Sequence, residues 1–390
     1  MRLIATMGAT GIDKKHIYKI NNKEFKKELS FLALAEAYNI KDIILIGTKV
    51  SENKIKPILN NNPNIKMVVI ESVSVEEVFE KSLEYLDDET ILDLTQGFRH
   101  YPMLTLLATI FKQSDKKNII KDIYYAQTLD EKCNPRDDEC RYKFESLIKY
   151  VDIANMARVI NTFNKTLLTL DYKVQNKEFE NIQKTLSNLT KGLFSNDFRK
   201  SKKYAKNIAK NLEKILESGE LNIIKSHLNS LLDEMKKIEK LSSKNESQTL
   251  LNVAEYFVNK KILLHSLTLL YESMVAYLDE KVNIDRCNNV EKKGKIQKAN
   301  TYERRNCLKK QLGKCEKGVI KNNISKCKDF SKNLRLIDKL RNTAAHAHTS
   351  GSYQEDLEKE IKEVIKFLKP IYSDKKEDKI ESLKDMFNNR

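Results

Sequence analysis

Several signatures of ligand class and localisation are missing from this chain. No uninterrupted apolar run approaches the ~18–20 residues of a membrane-spanning helix. The opening Met1-Arg2-Leu3-Ile4 lacks the charged-then-apolar layout of a secretory signal, so a cytoplasmic protein is expected. Six cysteines in 390 residues, none in a CxxC pair, fit neither a disulfide scaffold nor a zinc ribbon, and reduced thiols are the expectation. The spacings of Cys287, Cys307, Cys315 and Cys327 match no standard zinc pattern. GxGxxG and GxxxxGK(S/T) are absent, which disfavours nicotinamide, flavin and nucleoside triphosphate enzymes. HExxH, GxSxG and paired-carboxylate motifs are absent too, so metal-dependent hydrolysis has no visible apparatus and neither a metal nor a cofactor is expected.

What is present divides the chain in two. Overall 71 basic residues face 55 acidic ones, a net charge of +16. Residues 1–150 hold 23 of each sign, so the whole excess lies in residues 151–390, with 48 basic and 32 acidic. Its densest part is 281–341, with 19 basic and 6 acidic residues, a composition that suits phosphate contact or a solvated surface.

The first 130 residues alternate short β-branched runs with helical stretches, the pattern of a parallel sheet with crossover helices. Strands are predicted at Arg2–Met7, Asp42–Gly47, Lys66–Ser72, Thr90–Thr95 and Ile119–Thr128, and helices near Phe25–Tyr38, Ser74–Leu86 and Tyr101–Gln113. Gly8, Gly11, Gly47 and Gly97 fall just beyond predicted strands, where a Rossmann-like sheet builds its ligand crevice. From 151 to 275 the pattern is helix upon helix, including one long apolar segment, Leu250–Leu278. Residues 281–330 read as an irregular basic insertion, followed by a helix at Ser331–Ala345 and another at Tyr353–Leu368 that Pro370 ends. The expected fold is thus α/β plus all-α, with domains at 1–150 and 151–390.

Two segments carry chemistry. Asp93-Leu94-Thr95-Gln96-Gly97-Phe98-Arg99-His100-Tyr101-Pro102 follows a buried strand and opens a helix. Thr95 and Gln96 offer hydrogen bonds, Gly97 lets the backbone come close, Arg99 supplies charge, and the helix start aims amides at the same point, so the segment suits an anion. Gly8-Ala9-Thr10-Gly11 ends the first strand and would border the same crevice. The plainer alternative is a tight turn whose Arg99 and His100 are merely solvated. The favoured ligand is a nucleotide or short oligonucleotide.

The second segment is Arg341-Asn342-Thr343-Ala344-Ala345-His346, at the end of an amphipathic helix behind the basic stretch. Histidine, with an unperturbed pKa of about 6.5, can exchange a proton with a ribose 2'-hydroxyl or a 5'-oxygen, while arginine stabilises a phosphorane. Five residues rotate by about 140° along a helix, so Arg341 and His346 of one chain need not converge; two copies across a two-fold axis would form a composite site. The alternative is that Arg341 pairs on the helix surface and that His346 and His348 are incidental. His265, Tyr271, Tyr277 and Phe257 read as core, and Arg304-Arg305 as solvated surface or an RNA-backbone contact.

Together the two motifs resemble the CARF-HEPN ribonucleases of type III CRISPR systems. The Asp93–Pro102 segment is similar to the family's ligand loop after its fourth strand, and Arg341–His346 to the HEPN Arg-x4-6-His motif. The resemblance implies an N-terminal Rossmann-like CARF sensor and a C-terminal all-helical HEPN ribonuclease domain. It implies that cyclic tetra- or hexa-adenylate binds on a dimer axis, against Gly8, Ala9, Thr10, Thr95, Gln96, Gly97, Arg99 and His100. It further implies activation of Arg341 and His346, with Asn342 orienting the helix end or the substrate. The implied reaction is metal-independent cleavage of single-stranded RNA, leaving 2',3'-cyclic phosphate and 5'-hydroxyl ends in antiviral defence. The implied partners are RNA, the cyclic activator and a second copy of the chain, with no membrane. Ring size, base preference, assembly beyond a dimer and self-cleavage of the activator stay open. The competing reading is a nucleotide-responsive regulator that binds nucleic acid without cutting it; a related one is a HEPN-type toxin controlled by some other nucleotide.

Overall fold

The computed structural model describes residues 1–8, 14–71, 75–87, 89–113, 120–172, 174–219, 221–281, 287, 289–292, 295–298, 303–308, 310, 324–345 and 351–373. It divides into two compact units, Met1–Val159 with Leu170–Gln183, and Ile160–Thr169 with Lys184–Arg390.

In the first unit, strands β1 (Arg2–Met7), β4 (Asp42–Thr48), β5 (Ile65–Ile70), β6 (Thr90–Asp93) and β7 (Ile120–Thr128) form the parallel run β7-β6-β1-β4-β5. These are the five strands expected from the sequence. The central strands β1, β4 and β6 are buried on both faces, which is why they are nearly continuous in hydrophobicity rather than alternating. Leu3, Ala5 and Met7 of β1 join one core with residues of α1 (Ser30–Tyr38) and α2 (Lys49–Asn61), among them Phe31, Leu34, Ile55 and Ile58. Ile4, Ile44 and Ile46 join the opposite core with Val78 of α3 (Val75–Tyr85) and Tyr101 and Ala108 of α4 (His100–Gln113).

The sheet is mixed rather than wholly parallel. β2 (His16–Ile20) and β3 (Lys23–Lys27) form a hairpin, β8 (Arg141–Ser146) runs antiparallel to β7, and β2 joins β8, giving eight strands in the order β3-β2-β8-β7-β6-β1-β4-β5. The expected helix from Phe25 therefore begins at Ser30. Asn21 and Asn22, at φ 45° and 67°, make the tight turn whose two positive φ values suit a two-residue hairpin loop. Helix α2 escaped the sequence reading because Pro57 lies inside it; Thr48 caps its start, accepting from the Ser51 amide at 3.3 Å. Gly47 lies within β4, where a Cβ would sit 2.9 Å from the Met7 carbonyl oxygen.

The second unit is helical, apart from a two-stranded hairpin, β9 (Asn289–Lys292) with β10 (Lys295–Lys298), inside the basic insertion. Most of α5 (Ile148–Thr166) and the start of α6 (Lys177–Phe194) belong to the first unit. Helix α7 (Phe198–Ser218) shows how helices here are specified. Ser201, Ala205, Ile208, Leu212 and Ile215 recur on one buried face, Asp197 caps the start through the Lys200 amide at 3.2 Å, and Gly219 closes the end at φ 71°. It packs against α8 (Lys225–Glu239).

The apolar stretch expected as one helix is two, α9 (Glu246–Asn259) and α10 (Leu263–Lys281), folded against each other. Lys261 takes φ 60° at the break, and the Ile262 amide turns back to the Phe257 carbonyl at 2.9 Å. No glycine or proline signals this turn; burying Leu250, Ala254, Phe257, Leu267, Leu270 and Met274 offsets the strain of a left-handed lysine. Helices α11 (Ile324–Ala345) and α12 (Gly351–Ser373) pack onto the same pair. Pro370 does not end α12. Its last turn is held by Tyr372, stacked on Tyr277 at 4.4 Å and accepting a hydrogen bond from Ser273.

The expectation of reduced thiols is overturned. Cys133–Cys140 closes a loop between β7 and β8, and Cys287–Cys307 ties the start of the insertion to its short helix at 303–308. Separations of 7 and 20 residues hide these pairs from motif reading, yet the fold brings their Cα atoms to 5.8 and 5.4 Å. Of the four C-terminal cysteines, Cys287 and Cys307 are thereby paired with each other, and Cys315 lies outside the described residues.

Candidate functional site

Strands β1 and β6 are parallel neighbours, but their onward connections part. From β1 the chain first forms the β2-β3 hairpin and then passes over the α1 face to β4; from β6 it crosses the α4 face to β7. That divergence is a topological switch point, and the crevice outside the carboxyl ends of such strands is where open α/β sheets bind ligands. Gly8 and the 94–99 loop both open onto it.

Backbone contact sets the crevice. A Cβ on Gly8 would lie 3.2 Å from the Gly97 carbonyl carbon, so the two loops touch through glycine alone. Gly97 adopts φ +120°, and a Cβ there would meet the Thr6 hydroxyl oxygen at 2.8 Å. Thr6 donates that hydroxyl to the Gln96 carbonyl. Asp93 holds the start of the loop: one carboxylate oxygen accepts from the Thr95 amide at 2.9 Å, the other from the Ser30 hydroxyl at 2.6 Å. Complete burial pushes the Asp93 pKa up, and the bonds from Ser30 and Thr95 offset part of that rise. Thr95 spends its own hydroxyl oxygen on the Ala126 amide at 2.9 Å, so its side chain serves the loop.

The groups facing outward differ in kind. Phe98 and Arg99 are exposed, and His100 starts α4 with its ring against Tyr101 at 4.7 Å. Gln96 Oε1 and His100 Nε2 are buried without a hydrogen-bond partner, a condition that an incoming polar ligand would relieve. Beside them opens a cleft of about 690 Å³, walled by Val69, Ile70, Phe98 and Tyr101 and bearing Lys49 and Glu71. Apolar walls with a few charged groups at a helix start suit a planar base joined to a phosphate. Of the expected ligand residues, Gly8, Thr95, Gln96, Gly97, Arg99 and His100 are brought to this one crevice; Ala9 and Thr10 lie outside the described residues.

The second candidate site lies at the end of α11. Arg341 gives Nη2 to Asp338 Oδ1 at 2.8 Å, one turn back on the same helix, and its guanidinium carbon lies 4.3 Å from the centre of the Tyr271 ring on α10. Asn342 is exposed. His346 and His348 lie outside the described residues. Arg304 and Arg305 are engaged with carboxylates: Arg304 Nε is 2.8 Å from Asp279, and Arg305 Nη2 is 3.1 Å from Glu246. His265 packs between Phe194 and Phe257, at 5.5 and 5.1 Å, and burial pushes its pKa down.

Sequence reading passed over Thr6, Ser30 and Asp93 as loop anchors, and Tyr271 and Asp338 as neighbours of Arg341. Asp93 carried a signal: an aspartate two residues before a threonine at a strand end favours a turn closed by its own side chain. Tyr271 carried none beyond its helical spacing. Among the described residues no group of three or more His, Cys, Asp and Glu side chains is placed to hold a metal ion, and no helix there is long and apolar enough to cross a membrane.

The molecule so described joins a switch-point ligand crevice in an α/β unit to a helical unit bearing an arginine at a helix end. No family model and no curated protein matches the chain. Among solved structures it is similar to Enterococcus italicus Csm6 bound to cyclic hexa-2'-fluoro-hexa-dAMP, at 14% sequence identity and a TM-score of 0.40, over 99% of both chains. An overlap that loose carries nothing over to this chain.

Proposed function

We propose that this chain is an endoribonuclease switched on by a cyclic oligoadenylate, acting on single-stranded RNA in type III CRISPR antiviral defence. The observation that carries the reading is the crevice at the β1/β6 switch point, where Gly8 meets Gly97 and where Gln96 Oε1 and His100 Nε2 lie buried and unpartnered. Gly8 and Gly97 keep the floor low enough for a sugar-phosphate backbone, Arg99 meets phosphate charge, Gln96 and His100 meet polar edges, and Thr95 holds the loop. The proposed ligand set also takes in Ala9 and Thr10, which lie outside the described residues. An even-numbered ring of four or six adenylates suits a two-fold axis, so the active species is a dimer of this chain.

The reaction belongs to the Arg341-Asn342…His346 segment. The 2'-hydroxyl attacks the adjacent phosphorus as its proton passes to a base, and the P–O5' bond breaks as the 5'-oxygen gains a proton. The products are a 2',3'-cyclic phosphate and a 5'-hydroxyl. His346 is the proton carrier, Arg341 neutralises charge on the phosphorane, and Asn342 orients the helix end or the substrate. No metal takes part in these steps.

The deciding experiment is cleavage of single-stranded RNA by the full chain with cyclic tri-, tetra- and hexa-adenylate, with and without EDTA. Cleavage that appears with one ring, persists in EDTA and leaves cyclic phosphate ends supports the reading; equal cleavage without any ring overturns the sensor. A second reading, a nucleotide-responsive regulator that binds nucleic acid and cuts nothing, is favoured by the pairing of Arg341 with Asp338 on its own helix. RNA left intact under every ring selects it.

A further inference from the structure

Arg341 has a long side chain, and the task proposed for it needs a fixed plane. Its ion pair with Asp338 cannot supply that: Asp338 is 42% exposed, and surface pairs three residues apart on a helix hold weakly. Tyr271 is different. It is 8% exposed on α10, within the pair of packed helices that forms the core of this unit, and its ring centre is 4.3 Å from the guanidinium carbon.

A guanidinium has two ways of interacting that do not compete. Its face stacks on an aromatic ring, and its edge carries five N–H donors in a fixed fork that matches phosphate oxygens. An arginine held by its face keeps that edge for a substrate, whereas one held by carboxylates spends donors to stay in place. Arg304 and Arg305 illustrate the second case, turned toward Asp279, Glu246 and Glu272.

We propose that Tyr271 is a positioning residue for the cleavage reaction: its ring is the platform that holds the Arg341 guanidinium in place, so that the donors not taken by Asp338 can meet the scissile phosphate. This inference rests on the ribonuclease reading above. Tyr271 touches no reacting atom; it acts through Arg341, so its loss lowers the rate of the chemical step and leaves sensing untouched.

The test uses the full-length chain with saturating cyclic tetra- or hexa-adenylate, whichever activates, and compares wild type with Tyr271→Leu, Tyr271→Phe and Arg341→Ala. Tyr271→Leu is expected to lower kcat about tenfold, with KM for RNA and the ring concentration for half-activation within about twofold of wild type. Tyr271→Phe keeps the face and should restore kcat to within about threefold. If Tyr271→Leu fails to melt cooperatively, Tyr271→Met, a flexible filler of similar bulk, carries the same expectation. A dead Arg341→Ala beside a fully active Tyr271→Leu or Tyr271→Met overturns the platform, as does a Tyr271→Phe as slow as Tyr271→Leu, which would assign the effect to the hydroxyl. A fully active Arg341→Ala overturns the role of Arg341 itself. A wild-type chain that cuts no RNA with any ring overturns the ribonuclease reading and the platform with it.

Discussion

The two candidate sites are built on opposite plans. At the β1/β6 crevice the backbone does the shaping: two glycines in contact, a threonine hydroxyl on a carbonyl, and a buried aspartate bonded to the next turn. At the end of α11 the candidate group is a single long side chain, Arg341, whose guanidinium lies over the Tyr271 ring of another helix. The charge follows the same division, since residues 1–150 balance at 23 against 23 while the excess of 16 lies beyond. A small cyclic ligand needs a few placed groups and a rigid floor. A long polyanion needs a field to gather it and one well-oriented cation at the reacting phosphate. The difference teaches that the first site is held rigid by main-chain packing and the second by contacts of one side chain.

The largest effect should come from separating the two functions. Arg341→Ala and His346→Ala are each expected to lower RNA cleavage about a thousandfold at saturating activator, with binding of the cyclic ring unchanged by calorimetry. Impaired ring binding in either variant would break the division between sensing and chemistry. Next in size, the pair Gln96→Ala and Arg99→Ala should raise the ring concentration for half-activation between about tenfold and a hundredfold, yet leave the plateau rate intact. A lowered plateau with unchanged half-activation would place these residues in the catalytic path.

A smaller effect tests the rigid floor. Gly97→Ala forces a Cβ onto the Thr6 hydroxyl at φ +120°, and should cost about 1–3 kcal/mol of stability along with most ring binding. Thermal melting gives the first and calorimetry the second; an unchanged melting temperature would show that the loop is not held by Thr6.

The smallest effect concerns pH. Burial raises the Asp93 pKa above its unfolded value of about 3.9, so the native state binds the proton more tightly across the interval between the two values. The contribution of this group is therefore greatest at acid pH and declines as pH rises from about 4 through the folded pKa. Asp93→Asn should remove that slope from melting curves taken between about pH 4 and 8, and a slope identical to wild type would assign it to other groups.

How far the sequence could be read follows from the same physics. Of the five parallel strands, β1, β4 and β6 were legible because they are buried on both faces, and a run such as Arg2–Met7 then leaves an unbroken apolar signature; β5 and β7 were legible from their β-branched and aromatic residues. The strands β2, β3 and β8 of the antiparallel end were not, although His16-Ile17-Tyr18-Lys19-Ile20 alternates in burial; strands partly open to solvent carry a weaker pattern. The break between α9 and α10 left no local mark, because a lysine took the left-handed position that glycine usually fills. Both disulfides were hidden by sequence separation. The crevice loop was recognised from Gly97, Arg99 and the helix start, whereas its anchors were not, since Ser30 and Thr6 lie 63 and 90 residues from the groups they bind.

What the sequence by itself determined is therefore local and periodic: the buried strands, the amphipathic helices, the glycine that a crowded loop requires and the uneven charge. Each of these is written in neighbouring residues, because the chemistry that enforces it acts over one strand or one helical turn. Only the tertiary structure decided that β1 and β6 lie side by side with diverging connections, that Gly8 meets Gly97, and that the Arg341 guanidinium lies over the Tyr271 ring. Those pairings depend on which distant surfaces bury each other, and the free energy that selects them is spread over whole cores rather than carried by any motif.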